Sequence, residues 1–173
     1  MIQCLNRLAQ QGLLIKLHRG VWAEPSPRQL SAFEIIPYLF PRQRVYVSFI
    51  TALNLHGIVE QIPQVITLAS LSHPRIIRTQ AGIFSVHQIA PSLFDGFDWY
   101  KGDGSFLIAE SEKALIDSLY LSSRRKKQFG YFPEVRFPSE FSFKKAAIWC
   151  GRIPEKKIRQ YVFQKLENLS IRR

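Results

Sequence analysis

Side chains suited to reading nucleic-acid bases stand at the start of this chain. Gln3, Asn6, Arg7 and Gln10 recur at helical spacing, while Ile2, Leu5, Leu8 and Ala9 fall on the opposite side. Arginine, asparagine and glutamine make paired hydrogen bonds to guanine and adenine edges in the major groove, so a helix that presents them has the chemistry of a reader helix. Lys16, His18 and Arg19 follow a few residues later, with cations placed to meet phosphates. The plainer alternative is an amphipathic helix whose polar face is solvated.

A second set, Glu110, Glu112, Lys113 and Asp117, brings acids and a lysine together as metal-dependent nucleases do. Its spacing argues against that chemistry. The run Glu110-Ser111-Glu112-Lys113 lacks the alternation that puts an acid and a lysine on one face of a strand, and the segment reads as a helix whose first-turn carboxylates complement the dipole. The acids and glycines of 95–103 do not match a calcium loop and read as a hairpin turn. His18, His56, His73 and His87 form no H-E-x-x-H pair, and no G-x-S-x-G or phosphate-loop motif occurs. His56, just before Gly57, reads as a helix-end residue. The expectation is a protein that is not an enzyme, with no catalytic, cofactor or metal residues. Arg124, Arg125, Lys126 and Lys127 form the densest charge run; they satisfy a helix dipole, contact DNA phosphates or meet an acidic protein surface, and the sequence does not rank the last two.

The elements that position these residues can be read from periodicity and turn signals. Residues 2 to 11 predict a helix stopped by Gly12; Leu13 to His18 predicts a strand, Arg19-Gly20 a tight turn, and Val21 to Ala23 a returning strand ending before Pro25. Helix, hairpin and turn in that order make the second half of a winged helix-turn-helix. A helix before the reader would normally support it, and none precedes it here, so the winged helix is read as partial and assigned to 1–24. A mixed domain is assigned to 29–173. It comprises a helix over 29–39, a strand at 45–47, a helix begun by Ser48 and ended by Gly57, strands at 65–69, 83–89 and 106–109, and a helix from Ser111 to Leu121 with Ala114, Leu115, Ser118 and Leu119 on its buried side. Beyond these lie a strand near 135–137 and helices over 142–150 and 154–168. The fold class expected is α+β, with a small, mainly antiparallel sheet.

Composition supports a chain with a real core: 46% of 173 residues are hydrophobic. No apolar run approaches the roughly 18 residues of a membrane span, and no signal peptide is visible, so a cytoplasmic protein is expected. Cys4 and Cys150 lack metal-ligand spacing and read as buried free thiols. The net charge of +11 divides into +4 for residues 1–47, −3 for 48–123 and +10 for 124–173. Two basic regions flanking an acidic one make the electrostatic footprint of a polyanion binder; the plainer alternative is a basic surface that serves only solubility.

Three segments, in order, carry a resemblance. LNRLAQQGLLIKLHRGVWAE resembles the recognition helix and wing of AbiEi-type antitoxins, whose pattern is an R-L helix, a glycine, a strand and a G-[LV]-[YW]-A return. VYVSFITALNLHGIVEQIPQVITLAS is similar to that family's S-A-L-x-x-H-G-L segment and strand, and FLIAESEKALIDSLYLSS to its I-A-x-x-E-K-A-L-x-D helix. The resemblance implies an antitoxin and transcriptional autoregulator of a phage-defence toxin–antitoxin system. Its winged helix would bind double-stranded operator DNA, and its second domain would neutralise a nucleotidyltransferase-like toxin. The contrasting hypothesis is a metal-dependent nucleic-acid-processing enzyme.

Overall fold

The sequence Ile-Thr-Leu-Ala-Ser, without a charge or a large polar side chain, makes β4 (Ile66–Ser70) a strand buried at every position, which requires cover on both faces of its sheet. The computed structural model describes residues 2–26, 28, 30–102, 106–124 and 133–171. The chain is α+β, as its patterning predicts. Its elements are α1 (Ile2–Gln10), β1 (Ile15–His18), β2 (Val21–Ala23), α2 (Ile36–Leu39), β3 (Tyr46–Val47), α3 (Phe49–Leu55), β4, β5 (Arg75–Arg78), β6 (Ile83–Gln88), β7 (Phe97–Trp99), β8 (Leu107–Ala109), α4 (Ser111–Ser122), α5 (Phe143–Gly151) and α6 (Lys156–Ile171). A two-stranded antiparallel sheet holds β1 and β2, and a six-stranded sheet runs β5-β6-β4-β3-β8-β7. Three of its ladders are antiparallel; β3 with β8 and β4 with β6 are parallel.

Register assigns the two faces. Tyr46, Ala69 and His87 lie in one row and Thr67 and Ser85 in the next, all on the side of α3 and α4. The Thr67 hydroxyl donates to the Ser48 carbonyl at 2.7 Å and lies 2.9 Å from the Thr51 hydroxyl, while the Phe49 ring meets His87 edge-on at 5.2 Å. The opposite face carries Val47, Leu68, Phe84 and Val86 and shares a core with Ile35, Ile36, Phe40, Leu17 and Val21. The β1–β2 hairpin therefore joins the main core through Leu17 and Val21.

Some elements differ from expectation. Of the helix expected over 29–39, only Ile36–Leu39 is α-helical among the described residues, since Pro37 suits a first helical turn and not a helix interior. No strand forms at 135–137; Arg136 N instead donates to the Ile58 carbonyl at 2.9 Å in an irregular segment. Segment 95–103 includes strand β7 as well as the start of a hairpin to β8. α4 is buried on nearly every side, because α3, α5 and α6 all pack around it.

Candidate nucleic-acid interface

The polar face of α1 is built by local rules. α1 ends in a Schellman turn: Gly12, at φ +73°, lets Leu13 N reach back to the Leu8 carbonyl at 2.9 Å and Gly12 N to the Ala9 carbonyl at 3.1 Å. Leu5, Leu8 and Ala9 are half-buried, whereas Gln3, Asn6, Arg7 and Gln10 are all exposed on the other side. Cys4 is exposed too, correcting the expectation of a buried thiol, because it lies on the solvent arc of α1. Cys150 is buried among α5 and α6, and burial pushes its thiol up to about 12.

From Gly12 the chain enters the β1–β2 hairpin. Lys16 pairs in register with Trp22, and its ammonium lies 5.4 Å from that ring, which holds the cation at the hairpin surface. A bulge between Lys16 and His18 turns Leu17 into the core, leaving Arg19 exposed in the turn and His18 half-buried. Helix α1 and the β1–β2 hairpin are thus consecutive, with Lys16 and Arg19 exposed on the hairpin. Arg124, just past α4, is bound by the Tyr120 hydroxyl and lies 4.8 Å from its ring. Among the described residues no hydrogen bond or ion pair links Arg124 to α1 or the wing. Arg125, Lys126 and Lys127 lie outside the described residues.

Lys113, Asp117 and Glu112 of the acid–lysine set are engaged in contacts within the fold. Lys113 and Asp117 are ion-paired with both side chains fully buried. The Lys113 ammonium also donates to the Tyr46 hydroxyl at 3.0 Å; that hydroxyl donates to Asp117 Oδ2 at 3.1 Å, and Ser48 Oγ donates to the same oxygen at 2.8 Å. Desolvation lowers the Lys113 pKa and Asp117 offsets part of that; desolvation also raises Tyr46 well above its ordinary value, with Asp117 adding to the rise. The network locks α4 to β3 and to Ser48 at the start of α3. Sequence reading missed it because an i,i+4 Lys–Asp pair looks the same on a surface helix. Ser48 therefore spends its hydroxyl on Asp117 and not on the helix it precedes. His56 reaches beyond its own helix, Nε2 lying 2.7 Å from the Ala109 carbonyl; a carbonyl only accepts, so Nε2 carries the proton.

Glu110 and Glu112 do flank the start of α4, as the dipole argument expects. Glu112 also accepts from Ser142 N at 3.0 Å and from the Ser111 hydroxyl at 3.0 Å, tying α5 to α4. Burial pulls its pKa up, but the backbone N–H of Ser142, its own N–H and the Ser111 hydroxyl outweigh that and leave it lowered from 4.5. Such a carboxylate stabilises the fold above the unfolded pKa and loses that contribution as pH falls through the folded one. In Glu112→Gln the acid side of the stability-against-pH curve should be flatter below about pH 4.5, measured by urea unfolding at stepped pH. An unchanged acid limb would show that Glu112 does not carry it.

A cleft of about 750 Å³ opens between α3 and the loop after it, with Ile50, Val59, Ile62 and Val65 on its walls and the Glu60–Arg136 pair, 2.7 Å apart, among its lining residues. Among the described residues, no three His, Cys, Asp or Glu side chains are grouped so as to hold a metal ion, and no helix is long and apolar enough to cross a membrane. No known protein-family model matches this chain, and no curated protein is significantly similar to it.

Proposed function

We propose that this chain is a cytoplasmic antitoxin-type regulator of the AbiEi kind, which binds operator DNA through α1 and the wing and neutralises a nucleotidyltransferase-like toxin through its second domain. The observation that carries the DNA part is the exposure of Gln3, Asn6, Arg7 and Gln10 on one side of α1, directly followed by a hairpin bearing Lys16 and Arg19. Base-edge donors and acceptors with adjacent phosphate-seeking cations are the parts a major-groove reader needs. Against an enzymatic role stands the use of Glu112, Lys113 and Asp117 in holding α4, α5 and β3 together. The toxin assignment rests on the family resemblance alone.

The test is fluorescence anisotropy on two duplexes, one from the region upstream of the protein's own gene and one scrambled. Asn6→Ala and Arg7→Ala should each remove roughly 1–3 kcal/mol of preference for the first duplex, because each deletes hydrogen bonds to base edges. Equal affinity of the wild-type chain for both duplexes defeats the reading of α1. Toxin neutralisation is tested separately, by growth rescue on co-expression with the product of the adjacent gene.

A further inference from the structure

We propose that the edge strand β5, with the turn before β3, extends the wing into a track for the phosphate backbone of duplex DNA. The proposal rests on reading the chain as a duplex-DNA binder, and it places a second contact surface in the main domain, where the sequence between residues 48 and 123 is net acidic. β5 has the composition Arg-Ile-Ile-Arg, pairs with β6 on one side and ends the six-stranded sheet on the other. Arginines at an edge also discourage pairing with another chain, and that role alone needs no ligand. Further observations point past it.

The first is continuity with the wing. Gln80 N, in the turn from β5 to β6, donates to the Leu17 carbonyl at 3.2 Å, so β5 abuts the part of β1 flanked by Lys16 and Arg19. The second lies at the other end of the strand. The Arg75 guanidinium donates to Gln43 at 2.9 Å and sits 5.4 Å from the Phe40 ring, fastening the turn that carries exposed Arg42 and Arg44 beside β5. The third is the absence of compensation. Residues 35–94 contain a single acid, Glu60, and it is paired with Arg136. Among the described residues no carboxylate is paired with Lys16 or Arg19 on the hairpin, with Arg42 or Arg44 in the turn, or with Arg75 or Arg78 on β5.

The geometry suits a phosphate chain. Arg75 and Arg78 leave the strand on opposite faces about 10 Å apart and so straddle the edge, with Ile76 between them 63% exposed. An edge strand also turns unpaired N–H groups outward, and backbone N–H groups are regular phosphate donors. An acidic protein would match the charge as well. Continuity with the wing favours DNA, because a duplex read by α1 must carry its backbone past the hairpin.

The experiment is a salt titration of binding to the upstream and scrambled duplexes. It compares the wild-type chain, Arg44→Gln/Arg75→Gln/Arg78→Gln, and Arg44→Gln/Arg78→Gln, which keeps Arg75 on Phe40 and Gln43. Both variants should weaken binding to the two duplexes alike, and the slope of log affinity against log salt should become shallower by up to about 0.9 for each phosphate no longer neutralised. The preference between duplexes should not change. An unchanged slope in both variants overturns the track, even where wild type discriminates and the reader helix stands. A shallower slope with no wild-type discrimination supports the track and defeats the reader helix. Absence of wild-type DNA binding, or variants that lose only an acidic protein partner, also overturns it.

Discussion

Replacing Lys113 by methionine should lower the folding free energy by about 3–5 kcal/mol, because it strands the Asp117 carboxylate in a site with no solvent contact. A buried ion pair adds little net stability beyond a well-packed apolar pair, yet removing one partner leaves an uncompensated charge. Methionine fills the space of the lysine stem between Tyr46 and Trp149, whose rings lie 5.4 and 5.6 Å from the ammonium, so the loss measures charge and not a cavity. Adding Asp117→Asn to Lys113→Met should recover most of the deficit. The asparagine is neutral and its carbonyl oxygen still accepts from the Tyr46 and Ser48 hydroxyls that Asp117 now satisfies. Urea unfolding of the two variants checks this, and a single variant within 1 kcal/mol of wild type, a limit set by the ordinary spread of point mutants, rules it out. The double variant should also bind DNA as wild type does, since the network is buried and none of its members lies on α1, the wing or β5. Under the metal-dependent nuclease hypothesis it would instead abolish turnover.

Gly96→Ala should cost about 2–4 kcal/mol, combining a left-handed backbone with a collision. Gly96 has φ +72°, and a Cβ built there would overlap Trp149 Cζ2 and stand 2.7 Å from Cη2. Trp149 has little room to yield, because Arg152 lies 4.3 Å from its ring and donates to Asp95 at 2.9 Å, next to the glycine. The Gly96 carbonyl also accepts from Glu110 N at 3.0 Å, at the residue that starts α4, so displacement here is transmitted to the helix carrying the buried pair. Gly151→Ala is the control: nothing lies within 4 Å of the point where its methyl would stand and its φ is not positive, so it should be near neutral. In thermal melts the Gly96 variant should fall by roughly 5–15 °C, at about 2–4 °C per kcal/mol for a chain of this size. Equal melting of the two glycine variants would refute the packing argument.

The amino-acid sequence by itself determined what neighbouring residues decide. The α1 stop at Gly12, the turn at Gly20, the α3 end at Gly57 and the helices α4, α5 and α6 all follow from local periodicity and glycine conformations. The exposed face of Gln3, Asn6, Arg7 and Gln10 was legible for the same reason, since a short helix offers only one apolar stripe to bury. β5 and β7 were hidden: Arg-Ile-Ile-Arg after Pro74 has no clean alternation, and Phe97–Trp99 lies among acids and glycines that signal a turn. Both become strands because an existing strand, β6 or β8, satisfies their backbone groups, whereas 135–137 stays irregular and pairs with no strand among the described residues. The two parallel ladders, the burial of Lys113 against Asp117 and the basic edge from the wing to Arg44 join residues far apart in the chain. Tertiary structure alone decided these, because desolvation and charge summation depend on what packs alongside a residue, and local spacing carries no record of that.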